Sequence, residues 1–167
     1  HTNLPAMKKY LILLLIPLLL HSCGTASKIS KADQPWSYET ESMGVGADGK
    51  YVIRVWSYWR NANMPVEEAK KNAVHAVIFR GIPAGNGATA QPALRTGELT
   101  PAESAFFDTF FQSEYQRYIS SVASGSIQVI KTGRNEYKIG YVISVSKDNL
   151  RKYLEDQGIV KGLSSGF

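Results

Sequence analysis

The stretch Lys50–Trp59, KYVIRVWSYW, limits the possible folds more than any other. Its β-branched and aromatic side chains suit a pleated, half-buried surface and lose rotamer freedom in a helix, so it predicts a strand. Successive side chains of a strand point to opposite faces. Tyr51, Ile53, Val55, Ser57 and Trp59 then share one face, and Val52, Arg54, Trp56 and Tyr58 the other. The first set is the more uniformly apolar and is expected to meet helices. Arg54, Trp56 and Tyr58 are left half exposed, either as a binding patch or as cover for the open side of a sheet. Upstream, Trp36–Val45 alternates poorly, and Asp48-Gly49 between the two segments is a two-residue hairpin signal. The intervening Gly44–Gly49, GVGADG, matches GxGxxG letter for letter. A dinucleotide fingerprint must open a helix, so that phosphate meets helix-terminal N–H groups. Here a strand follows, which leaves the turn reading.

Asn63-Met64-Pro65 before Glu67-Glu68 predicts a helix start, with Asn63 as cap, Pro65 pre-set in φ and two acids in the first turn. Val66, Ala69, Ala73, Ala76/Val77 and Arg80 fall at helical spacing, and a stripe made mostly of alanine lets the helix lie close to a sheet. Lys70, Lys71 and Asn72 are expected to face water, with Glu67 and Lys71 paired at i,i+4. Gly81 and Pro83 end the helix. Ile82–Leu99 has no periodicity, and loops of such length in compact domains are functional or disordered. Asn86 within it joins Arg54, Trp56 and Tyr58 as a candidate binding residue.

Thr100-Pro101-Ala102-Glu103 is a capping box with proline at the first helical position. The helix it opens is expected to reach about Ala123, with an aromatic stripe from Phe106 to Tyr118. Gly125–Lys131 and Glu136–Val145 predict a second hairpin about Thr132–Asn135. Ser146 is expected to cap a last helix striped by Leu150, Tyr153 and Leu154, with Gly158 past its end. The order is ββα-loop-αββα. It predicts an α+β fold: an antiparallel or mixed sheet of about four strands with helices packed on one face.

The beginning of the chain is of another kind. In Met7–Cys23 a cationic head, Lys8 and Lys9, precedes the apolar run Leu11–Leu20, interrupted only by Pro17. The run is about half of the roughly 20 apolar residues that span a bilayer, so it reads as an export leader. Leu20-His21-Ser22-Cys23 resembles the bacterial lipobox, although His21 departs from the usual small or hydroxyl residue. The resemblance implies cleavage before Cys23, acylation of that cysteine, and attachment to membrane lipid through it. Gly24, where an Asp would hold such proteins in the inner membrane, implies the outer membrane, facing the periplasm. Residues 1–22 are therefore expected to be an upstream extension plus leader and 23–35 a flexible tether. Residues 36–158 are expected to form one domain, and 159–167 a tail.

The formal net charge is +5, and Lys8 and Lys9 leave with the leader. No clustered basic face remains for direct nucleic-acid binding. Cys23 is the only cysteine, which excludes an intrachain disulfide and a cysteine-based metal site. His75 is the one histidine beyond the leader and has no companion at metal spacing, so neither metal nor cofactor is expected and His75 is placed at the surface or boundary. Ser144–Lys147 is an SxxK and Lys131–Gly133 a KTG, as in serine β-lactam enzymes. Their order is reversed and no SDN accompanies them, so turn and cap roles are expected instead.

YVIRVWSYWRN followed by MPVEEAKKNAVHAVIFRGIPAGNGAT resembles an uncharacterised lipoprotein family encoded with conjugative transposons of gut anaerobes. The strand feeding an alanine-spaced helix is more distantly similar to envelope lipoproteins of the LPP-twenty type. The resemblance implies an envelope accessory protein linked to a DNA-transfer apparatus, and supplies no catalytic residue. The expected function is a non-enzymatic lipoprotein that binds an envelope protein through the Gly81–Gly97 loop and the Arg54/Trp56/Tyr58 face. A peptidoglycan or other glycan ligand on the same aromatics is the alternative. A hydrolase built on Ser/Lys or His75 is the third reading.

Overall fold

The structure, a computed structural model, describes residues 27–46 and 50–162. The leader, Cys23 and the Asp48-Gly49 turn lie outside the described residues. Strands β1 (Tyr38–Val45) and β2 (Lys50–Trp59) pair antiparallel. Helix α1 (Val66–His75) runs into a π-helical turn, Ala76–Arg80, and α2 spans Pro101–Phe110. Then come β3 (Ile119–Val122), β4 (Gln128–Gly133), β5 (Glu136–Ser146) and α3 (Lys147–Asp156). The sheet order is β1-β2-β5-β3, with β4 paired to the first half of β5, so β3 and β4 follow one another along a single edge. Every pairing is antiparallel. The fold is α+β, as the order of elements predicts, with β3 as an additional strand.

The alternation of β2 decides which face is buried. Ile53, Val55 and Ser57 lie opposite Ile143, Tyr141 and Ile139 of β5, and all six are buried under the helices. Each large apolar side chain so covered contributes about 1.5–3 kcal/mol relative to exposure. Ala69, Ala73 and Ala76 are fully buried, which brings α1 close to the sheet. That closeness corrects the expected placement of Asn72. It is buried, and its Nδ2 donates to the buried Ser57 hydroxyl at 2.8 Å, so each satisfies the other.

Other local expectations fail for identifiable reasons. Asn63 does not cap α1: the helix begins at Val66, and Pro65 holds the cap position without a side-chain bond. Glu67 pairs with Lys70 rather than Lys71, and Glu68 takes Lys71; Tyr115 also donates to Glu67. The capping box at Thr100 and Glu103 forms as expected. Its helix, however, stops at Phe110 instead of near Ala123. A tighter 3₁₀ turn, Glu114–Tyr118, buries Tyr115 and Tyr118, and then Ile119–Val122 pairs with β5. An open sheet edge outranks helix propensity there, with β-branched Ile119 and Val122 at the two ends of the segment. Ser146 precedes α3 without capping it, since its hydroxyl meets that of Ser120 at 2.6 Å.

Both ends of the described chain are held. Ser30 caps the turn Lys31–Asp33 and donates to Glu136 at 2.5 Å. Past Gly158, whose φ is +72, the Ile159 amide returns to the Leu154 carbonyl, and Ile159 and Val160 pack on the core.

Candidate functional site

The open side of the sheet carries the residues singled out in β2. Trp56 lies opposite Gly140 of β5. A Cβ at Gly140 would come within 2.7–3.1 Å of three atoms of the indole six-membered ring, so that ring rests on the bare glycine backbone. Any larger residue there would prop the indole off the sheet. Around it, Lys138 and Arg54 place cations 5.4 and 5.8 Å from the ring centroid. The Trp56 Nε1–H points to Glu41 at 3.4 Å, and Arg54 approaches the same carboxylate at 3.7 Å. Tyr58 and Lys138 both donate to Glu39, at 2.7 and 2.5 Å, while Lys31 donates to the Tyr58 hydroxyl at 3.2 Å. The Lys138 bond, then that of Tyr58, holds the Glu39 carboxyl below its ordinary range. The result is an aromatic plate in a rim of charges, of which the Glu39 and Glu41 carboxylates are half exposed and Arg54 and Lys138 are mostly covered. The structure thus brings Arg54, Trp56 and Tyr58 together as the β2 alternation requires.

Asn86 sits elsewhere. The 82–99 loop folds back on itself through the Ile82–Gln91 and Gly85–Ala88 bridges. It is tied to the π-helical turn by the Leu94 and Arg95 amides, which donate to the Val77 and Ile78 carbonyls. Asn86 occupies the tip at φ +49 and donates to the Ser42 carbonyl of β1. It pins the loop to the outer strand, away from the Trp56 plate.

On the helix side, Trp36, His75, Phe79, Phe107 and Phe111 line a cavity of about 370 Å³, with Asp108 among the lining residues. His75 lies at the boundary, as expected, with its ring partly exposed. Its ring stacks on Trp36 at 3.9 Å, and its Nδ1 lies 2.6 Å from the Tyr38 hydroxyl. Burial, with a smaller push from Arg80, lowers the His75 pKa to about 3, and burial also raises that of Tyr38 well above its ordinary value. Both groups are neutral at ordinary pH, and with Tyr38 as donor the ring proton resides on Nε2. Sequence spacing carried one usable signal, the i,i+4 pair His75/Phe79. Nothing in it placed Trp36 or α2 opposite that pair.

The SxxK and KTG segments do not converge. Lys131 and Gly133 pair with Tyr137 and Glu136 at the start of β5, whereas Ser144 lies at its other end, about 23 Å along at ~3.3 Å per residue. Lys147 is buried and donates to Gln91. No protein-family model matches this chain, and neither does any curated protein or solved structure.

Proposed function

We propose that this chain is a non-enzymatic envelope lipoprotein. Acylated Cys23 anchors it to lipid, at the periplasmic side of the outer membrane, and the open sheet face binds cell-wall glycan. The observation that carries the ligand reading is the close seating of the Trp56 indole on Gly140. A ring seated on the glycine backbone of the open face, and itself half exposed, offers surface for stacking on the apolar face of a sugar, and the surrounding carboxylates, guanidinium and ammonium supply polar contacts. A protein partner is the competing reading, and an accessory role in conjugative transfer belongs with it. Covering the half-exposed Glu39 and Glu41 carboxylates with a protein would desolvate them at a cost, whereas a saccharide leaves them wet.

Retention of the full-length chain on purified sacculi tests the glycan reading. Trp56→Ala is expected to weaken retention about tenfold, from the loss of one stacking platform. Gly140→Ala should weaken it comparably while the fold survives, because the indole can swing away from the new methyl group. Undiminished retention in both variants removes the glycan reading. In-cell crosslinking at position 56 that captures a protein in place of wall material would favour the competing one. The anchor has its own check: mass spectrometry of the native protein is expected to find fatty acyl groups on Cys23, and an unacylated mature product ends the lipoprotein assignment.

A further inference from the structure

Five aromatic rings on the helix side of the sheet form a closed circuit. Trp36 stacks on His75 at 3.9 Å, His75 meets Phe79 at 4.8 Å, and Phe79 meets Phe107 edge-on at 4.8 Å. Phe107 reaches Phe111 at 6.3 Å, and Phe111 returns to Trp36 at 5.0 Å. His75 and Phe111 also meet across the circuit, at 5.9 Å, so the rings pack on one another as a continuous aromatic wall. These wall a cavity of about 370 Å³ that opens to solvent, and all but Phe107 keep part of their surface exposed. The volume falls at the low end of the ~300–1,000 Å³ typical of ligand pockets.

Aromatic faces carry negative potential, which attracts cations and most effectively those that shed water easily. Asp108 lines the same cavity, is exposed, and has no ion-pair partner among the described residues. Of the charges nearby, Asp108 attracts a cation, while Arg80 opposes one at the His75 side, where its charge helps to lower the His75 pKa. Neutral His75 adds a π face and not a positive charge to the wall. Arg80 faces a separate groove, held 3.9 Å over the Tyr38 ring and donating to the Trp36 and Tyr38 carbonyls. A neutral apolar guest would cover the mouth and strip water from an unpaired carboxylate with nothing to offset it.

We infer that this open, aromatic-walled cavity is a second binding site, for a small quaternary or N-methylated ammonium group, with Asp108 as its counter-charge. It is independent of the Trp56 plate on the other side of the sheet, so loss of sacculus binding leaves it standing.

The test titrates choline, and its neutral isostere with carbon in place of nitrogen, into the full-length chain, followed by calorimetry and tryptophan fluorescence. Choline is expected to bind saturably, and the isostere about tenfold more weakly or not at all. Asp108→Asn, an exposed change that spares the core, should weaken choline by about three- to tenfold and leave the isostere unaffected. Phe111→Ala should abolish both, with circular dichroism confirming that the variant is folded. Equal binding of choline and isostere, absence of choline binding, or indifference to Asp108→Asn each overturns the assignment.

Discussion

Replacing Gly81 by alanine is expected to destabilise the fold by more than about 3 kcal/mol, the sum of backbone strain and a clash that cannot relax locally. Gly81 has φ +74 and ψ 178, a region essentially closed to residues with a side chain. Its Cβ would lie 2.4 Å from the Gln91 carbonyl oxygen, 2.9 Å from the Ala93 nitrogen and 3.1 Å from the Pro92 carbonyl carbon. All three are backbone atoms, so relief requires the loop itself to move. Moving it breaks the Ile82–Gln91 pairing and withdraws Gln91 from Lys147. Gly81 also closes the π-helical turn, its N–H donating to Ala76 at 2.8 Å. Urea unfolding measures the effect, with Gly87→Ala as the control. Gly87 shares a positive φ, +79, but has nothing within 4 Å of a new Cβ, so only strain of roughly 1–2 kcal/mol applies. Equal losses in the two variants would refute the close loop packing.

Acid is expected to unfold the protein through His75. Its pKa is about 3 in the fold against 6.5 ordinarily, so between those values the unfolded chain binds a proton that the folded chain does not. Stability therefore falls as pH falls, starting near 6.5 and flattening near 3. The carboxylates held below their ordinary 4.5, Glu39 and Glu67 among them, add their own loss only below that value. The interval from pH 6.5 to 4.5 thus isolates the histidine. Its ring is partly solvated, so the loss there is expected to be on the order of 2 kcal/mol. Melting temperature against pH in the wild type and in His75→Gln checks this. The variant should show a nearly flat profile over the interval, and parallel profiles would show that His75 is not the titrating group.

The two predictions rest on different degrees of legibility in the sequence. The β2 face assignment follows from alternation alone, because one strand's pleat sorts Ile53 from Arg54 whatever else the chain does. The Thr100 capping box is equally local. By contrast, the end of α2 depended on β5 offering an edge to Ile119–Val122, and Asn72 was buried by a helix-to-sheet distance set by alanines on neighbouring turns. Such outcomes belong to the assembled molecule. The Trp56 plate was half visible: the strand exposed the indole, but Gly140, on which it rests, comes from another strand. The aromatic-walled cavity was less visible still. Trp36 and Phe111 meet His75 only through tertiary folding, and no local pattern links them.

The central place of β5 has a consequence for how the molecule is made. The sheet joins its first hairpin to a strand near the other end of the sequence, and the Glu39–Lys138 contact alone closes 99 residues. Such long-range closure must be achieved before its contacts give any return, so folding is slow relative to a helical bundle of equal size. While β5 is still being synthesised, β2 lacks its inner neighbour and no stable sheet exists to resist threading. A nascent chain of this topology stays loose until β5, Glu136–Ser146, has emerged.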